Sequence, residues 1–291
     1  MRKTDFIDAS TGQDFAAGFE AVLSTIDSLP TLPAILWEIQ AALQNPRSGS
    51  TEIAMVIEQD PSLTANILRL ANSAYFHSSN RYLFIAEAVA RIGLREIENM
   101  VSATFVIDIF TQIDKSADAI DFCFHSLQVA EAASFLTERS PEGTPFLSSE
   151  AYIAGLLHDV GKLILREYFS GDFKRVSAYA TQFSCGDAEA ERQTLGVDHG
   201  EIGAVLLQIW NLDENLVEAV RWHHRVDSCS EEHRAQAETL RYADSLCHSH
   251  QQGEIANTEF EHPSLGLGSA DANSFIINLA RSKERAHLLL K

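Results

Sequence analysis

"AGLLHDVGKLIL", residues 154–165, decides how this chain is read. Ala154, Leu156, Leu157, Val160, Leu163, Ile164 and Leu165 are enough to bury a helix, yet His158, Asp159 and Lys162 stand among them. Burying a charge is costly unless something compensates it. A structural compensation is at hand, since the Asp159 carboxylate can pair with Lys162 three residues on and the imidazole can find a carbonyl. Working outward, nearly every other segment repeats its apolar residues with a helical period, and almost none alternates as a strand does. The class is all-α.

Helices are expected over 14–27, in "LPTLPAILWEIQAAL" after Pro33, and again after "RSGS". In "EQDPSLTANILRLANSAYF", Asp60 suits an N-cap and Pro61 a first helical position, with Leu63, Ile67, Leu70 and Ala71 facing inward. "GLREIENMVSATFVIDIF" continues the pattern. Beyond it the periodicity predicts helices over 118–139, 149–166, 171–184, 187–194, 198–210, 213–224 and 231–250. Residues 251–272 read as a polar, glycine-rich connector and 273–290 as a last helix. "GLGSAD" in the connector follows no strand and is discounted as a dinucleotide loop.

The 291 residues, 45% of them hydrophobic, can bury a large core in one domain or two intimate ones. Four widely spaced cysteines with no C-x-x-C pair argue against a zinc knuckle and a secreted disulfide scaffold, so a reducing, cytoplasmic location is expected. The first residues lack an apolar leader, and no apolar run approaches the roughly 20 residues of a membrane span. No membrane partner is expected. With 22 basic against 41 acidic residues and a net charge of −19, the long-range field repels phosphate backbones, which excludes sequence-independent nucleic-acid binding. Arg91 with Arg95, Lys174 with Arg175, and Arg281 with Lys283 and Arg285 read as solvated helix faces.

The polar residues of 154–165 keep company. "DFCFHSLQVAEAASFL" sets Asp121 and His125 four apart on one helix face. "GVDHGEIGAVLLQIW" opens an apolar helix at His199, with Gly200 and Gly203 permitting close approach. "AVRWHHRVD" ends a helix on His223 and His224, and "LRYADSLCHSH" carries Asp244 on a helix apolar at Leu240, Ala243 and Leu246. Each residue alone has a structural account, as a core hydrogen-bonder or a helix-end cation. Together they describe helices that each project a histidine or carboxylate inward, a standard way to house a transition-metal site. Imidazole and carboxylate without thiolate favour iron, manganese or zinc.

At these residues the sequence resembles the HD superfamily, whose members carry H…HD…D on helices around one or two metals, and more closely the HD-related output domain, HDOD. The matching stretches are "LPTLPAIL", "QDPSLTANILRLANSAYF", "FHSLQVAEAA", "YIAGLLHDVGKLIL", "DHGEIGAVLLQIWNL" and "RWHH", across about residues 25–250. The resemblance implies an N-terminal helical subdomain over 1–115 packed on an HD-like metal-site bundle over 116–252, then a connector and C-terminal helix over 253–291. It is also similar to the HD-GYP phosphodiesterases at His125, His158, Asp159, Lys162, His199, His223, His224 and Asp244, with Asp121 where some of those enzymes carry an extra acidic ligand. It departs from them after "HH", where "RVDSCSEEH" replaces their glycine-tyrosine-proline loop.

Two functions follow as expectations. One is a cytoplasmic HDOD-type signalling or regulatory protein with a retained metal site of one or two divalent ions, iron or manganese first and zinc or nickel as alternatives. The length leaves no room for a receiver or effector domain beside it, so its expected partners are other signalling proteins. The other is a metal-dependent phosphohydrolase acting on a nucleotide, a cyclic dinucleotide or another phosphorylated small molecule. There Asp159 and Lys162 are the expected catalytic residues, Lys162 adding charge stabilisation at the phosphoryl group.

Overall fold

The computed structural model describes residues 12–23, 29, 33–45, 47–73, 76, 81–114, 118–139 and 146–251. Among them lie fourteen α-helices and no strand: α1 (Gly12–Leu23), α2 (Ala34–Gln44), α3 (Ser50–Ile57), α4 (Pro61–Ala71), α5 (Ile85–Ile92), α6 (Leu94–Ile113), α7 (Asp118–Arg139), α8 (Ser148–Leu157), α9 (Val160–Tyr168), α10 (Ser170–Phe183), α11 (Asp187–Leu195), α12 (His199–Ile209), α13 (Glu214–Trp222) and α14 (Arg234–Gln251). A 3-10 turn, Val226–Ser228, precedes α14. No helix among the described residues is long and apolar enough to cross a membrane. Gln251, the first residue of the expected connector, is the last of α14; the rest of the connector and the last helix expected up to 290, and with them the segment 253–291, lie outside the described residues, as do residues 24–27 of the first expected helix.

Local signals set the helix starts. Asp60 Oδ1 accepts from the backbone N–H groups of Ser62 (2.8 Å) and Leu63 (3.0 Å), with Pro61 at the first position of α4 where no N–H is needed. Asp198 caps α12 reciprocally: its Oδ1 accepts from Glu201 N (3.2 Å) while Glu201 Oε2 accepts from Asp198 N (3.1 Å).

One apolar core collects Leu36, Ile39, Ile53, Ile57, Leu63, Ile67, Ile85 and Val89 from α2 to α5 with Ile97 and Met100 of α6. The other collects Val106, Ile109, Phe110 and Ile113 of the same α6 with the inward faces of α7, α8, α9, α12, α13 and α14. Helix α1 also joins this second core. Its Phe15, Phe19 and Leu23 are buried there, and Phe15 meets Phe169 edge to face with centroids 5.1 Å apart.

The helix expected over 149–166 is two helices in the structure. Helix α8 ends with His158 as its C-cap, and Asp159 (φ −99°, ψ 4°) leaves helical geometry before α9 starts. Apolar periodicity runs on through this break, so it leaves no mark on the hydropathy pattern. Glycines let the surrounding helices close. A Cβ on Gly155 would lie 2.5 Å from Ala130 Cα, so α7 and α8 cross at backbone contact, and a Cβ on Gly161 would overlap the His199 carbonyl oxygen where α9 meets α12.

Candidate metal centre

Four helices and the break between two more bring donors to one site. His125 comes from the middle of α7, His158 and Asp159 from the break between α8 and α9, His199 from the first turn of α12, His223 and His224 from the end of α13, and Asp244 from α14. Asp159 lies at the middle: its Oδ1 is 3.0 Å from His199 Nε2, and its Oδ2 is 3.4 Å from His158 Nε2, 3.9 Å from His125 Nε2 and 2.9 Å from Lys162 Nζ. Asp244 Oδ1 lies 3.1 Å from His125 Nε2 and 3.7 Å from His158 Nε2. His224 Nε2 is 2.7 Å from His199 Nε2.

The ring nitrogens facing away from this site are anchored. His158 Nδ1 lies 2.8 Å from the Gly155 carbonyl and His223 Nδ1 2.6 Å from the Val220 carbonyl, which sets Nδ1 as the protonated nitrogen and leaves the lone pair on Nε2. Both side chains are fully buried, and both Nε2 atoms lack a hydrogen-bond partner. His199 Nδ1 instead contacts the buried Glu191 carboxylate at 2.7 Å, the carboxylate–histidine arrangement that orients a metal-binding imidazole and raises its basicity.

The charges are consistent with a place made for a cation. Burial opposes ionisation of Asp159, but His158, Lys162 and His199 outweigh it and hold the carboxyl well below the usual range. Burial likewise opposes ionisation of Asp244, and His125 and His248 overcome it. On His199 burial disfavours the proton while the Glu191 and Asp159 carboxylates favour it more, and the pKa rises to about 9. Burial, with His199 and His158 beside it, lowers His223 to about 4, and burial with His223 and His199 drives His224 down as well. At neutral pH the two carboxylates are thus ionised and His125, His223 and His224 neutral, while His199 and His248 hold their protons. In the metal-free protein, protons on His199 and the ammonium of Lys162 supply the compensating charge.

Three groups of donors could each hold a metal ion: Asp159, His199, His223 and His224; His125, His158 and Asp159; and His125, Asp244 and His248, with ligand atoms inside each group within 4.8 Å of one another. None includes a cysteine. Burial is graded across them. His158, His199 and His223 are sealed, whereas the side chains of Lys162 and His248 are 26% and 51% exposed, so solvent reaches the cluster from the α9 and α14 side.

Sequence reasoning and structure differ at three residues, Asp121, Glu191 and His248. Asp121 is not in any of the three donor groups: it lies exposed on α7 beside Ile120, itself 48% exposed. Lys162 pairs with Asp159, as their spacing predicts, and lies 3.6 Å from Asp187 Oδ2. Glu191 and His248 were not singled out. The spacing Asp244 to His248, four residues on one helix, could have pointed to His248. Glu191 had no such signal, since it is one of several charged residues in the mostly polar "DAEAERQTL".

A family model, HDOD domain, matches residues 29–226. The chain belongs to the HDOD family. This HDOD chain superposes on the crystal structure of an HDOD domain protein with unknown function from Geobacter sulfurreducens with a TM-score of 0.75 at 25% identity, covering 91% of this chain and 96% of the other. A protein provisionally named a phosphohydrolase, from Shewanella amazonensis SB2B, gives a TM-score of 0.74 at 25% identity over 92% and 98% of the two chains. An uncharacterized protein of Treponema pallidum (strain Nichols) is 29% identical over 228 residues, which make up 77% of this chain and 43% of the relative. The chain therefore spans less than half the length of that curated relative.

Proposed function

We propose that this chain is a regulatory HDOD protein that acts through contacts with other signalling proteins, and that its bundle holds a divalent transition-metal centre of one or two ions on His125, His158, Asp159, His199, His223, His224 and Asp244. The observation that carries the reading is the pair of covered Nε2 atoms on His158 and His223, each anchored through Nδ1 and each without a hydrogen bond. A buried lone pair without a donor is costly, and a cation satisfies it. The donor set of imidazole and carboxylate suits iron(II) or manganese(II) first, with zinc or nickel as alternatives.

The direct test is elemental analysis of protein purified with and without oxygen and supplied with Fe²⁺ or Mn²⁺. Wild type should retain metal through gel filtration, and His158→Ala and Asp244→Ala should lose it by about 100-fold in affinity or more. Failure of wild type to retain any of the metals offered under either preparation would reject the centre.

The exposure of the α9 and α14 side favours a second reading, a metal-dependent phosphohydrolase, because an enzyme needs an open position where a structural site closes them all. The Shewanella relative's name points the same way. A bound cation would supply water activation and charge neutralisation at phosphorus. Lys162, held beside Asp159 at the open side, would bind a phosphoryl oxygen, and Asp159 would hold both the centre and Lys162 in register. A panel of phosphoesters including cyclic dinucleotides, assayed with Mn²⁺, decides it. Turnover that falls by about 100-fold or more in Lys162→Met with metal content unchanged supports the enzyme, and no turnover of any panel member in metal-loaded protein removes it.

A further inference from the structure

His248 stands one turn after Asp244 on α14, and neither the spacing of the H…HD…D residues nor the family likeness gives it a part. Its Nδ1 lies 3.1 Å from the Asp244 carbonyl oxygen and 3.0 Å from Asp244 Oδ1. This repeats the anchoring of His158 and His223, each of which sets Nδ1 on a carbonyl one turn earlier in its own chain and keeps the lone pair on Nε2. The ring meets His125 edge to face, with centroids 4.7 Å apart and planes at 69°. Three imidazole nitrogens therefore crowd one carboxylate oxygen, Asp244 Oδ1: those of His125 at 3.1 Å, His158 at 3.7 Å and His248 at 3.0 Å. The His248 Nδ1–H donates to that oxygen and fixes the ring beside His125 and Asp244, and the three residues bring ligand atoms within 4.8 Å of one another.

We infer that His248 is a further ligand of the centre, closing on the cation held by His125 and Asp244. Its half-exposed side chain makes that outer cation the exchangeable one. The inference rests on the metal-centre reading and adds a ligand to it. The inner donors, Asp159, His199, His223 and His224, share no residue with the group of His125, Asp244 and His248, and the two are linked through His125 and Asp159, which with His158 form the third group.

The full chain is loaded with Mn²⁺ or Co²⁺, dialysed against a weak chelator, and its metal counted by elemental analysis and by Co²⁺ d–d absorption. His248→Asn is the informative variant, because its amide nitrogen can donate where Nδ1 sits but presents nothing in place of Nε2. Wild type should retain about two ions, one released well before the other, whereas His248→Asn should hold the outer ion at least about 100-fold more weakly and lose its share of the absorption. Asp121→Asn should match wild type. If His248→Asn keeps both ions with wild-type release, His248 only orients Asp244 and the inference is overturned while the centre stands. A wild type that holds a single ion overturns it too, and a wild type that holds none overturns the centre itself.

Discussion

His158 and His223 are fully covered, yet each keeps one ring nitrogen without a hydrogen bond, and that pattern is a stronger pointer to a cation than the histidine count. The titrating neighbours of these residues make a pH prediction for the metal-free protein. His248, through its hydrogen bond to Asp244, and His199, through Glu191 and Asp159 against the pull of burial, have pKa values raised from 6.5 to about 9. The stability they add is complete below about pH 6.5 and is lost as pH rises through 9. Asp159 and Asp244 are held low, so their contribution is present above about pH 4 and is lost as pH falls below it. His223, lowered from 6.5 to about 4, adds a cost on the acid side between those values. Thermal melts of chelated protein should therefore show Tm falling from pH 7 to pH 9, each raised histidine contributing at most about 1.4 kcal/mol per pH unit. Saturating Mn²⁺ should flatten that limb, since a cation replaces the protons as the compensating charge. A chelated protein equally stable at pH 7 and pH 9 would contradict the assignment. His158, Asp159, His199 and Asp244 were legible in the sequence because each interrupts an apolar stripe, an anomaly that needs a cause. Glu191 was not, because a carboxylate in a polar helix is no anomaly, and the spacing of Asp121 from His125 does not say how far along α7 the bundle extends.

Most elements were legible to within about three residues; α5 was not, and neither was the break between α8 and α9. That break is what turns His158 and Asp159 toward the other donors, and it depends on α9 reaching α12 at backbone distance through Gly161. Gly161→Ala should force the two helices apart, costing about 3 kcal/mol or more and removing the metal capacity with it. Gly171, in the first turn of α10, is the control. A Cβ there meets nothing within 4 Å, so Gly171→Ala should be neutral or stabilising by up to about 1 kcal/mol. Chemical denaturation with metal analysis of both variants checks the pair, and equal stabilities would show that the close crossing does not matter.

Two apolar cores are joined by one continuous helix, α6, and α1 leaves the N-terminal region to pack with the second core. The cores are therefore expected to unfold together. Ile57→Ala in the first core and Ile164→Ala in the second should each cost about 2–5 kcal/mol and lower one shared calorimetric transition. Metal at about 100 times its Kd should raise that same transition by about 2.7 kcal/mol of stability. Two separate transitions, with metal shifting only one, would show that the cores are independent. The sequence by itself determined the helical class, the helix starts at Asp60 and Asp198, and which helices carry a donor, because periodicity and capping act over a few residues. Only the tertiary structure decided which donors meet, that Asp121 stays outside while Glu191 and His248 come in, and that one side of the cluster faces solvent. Those depend on how distant helices cross, and the crossing is set by contacts such as Gly155 on Ala130 and Gly161 on His199, whose partners are remote in sequence.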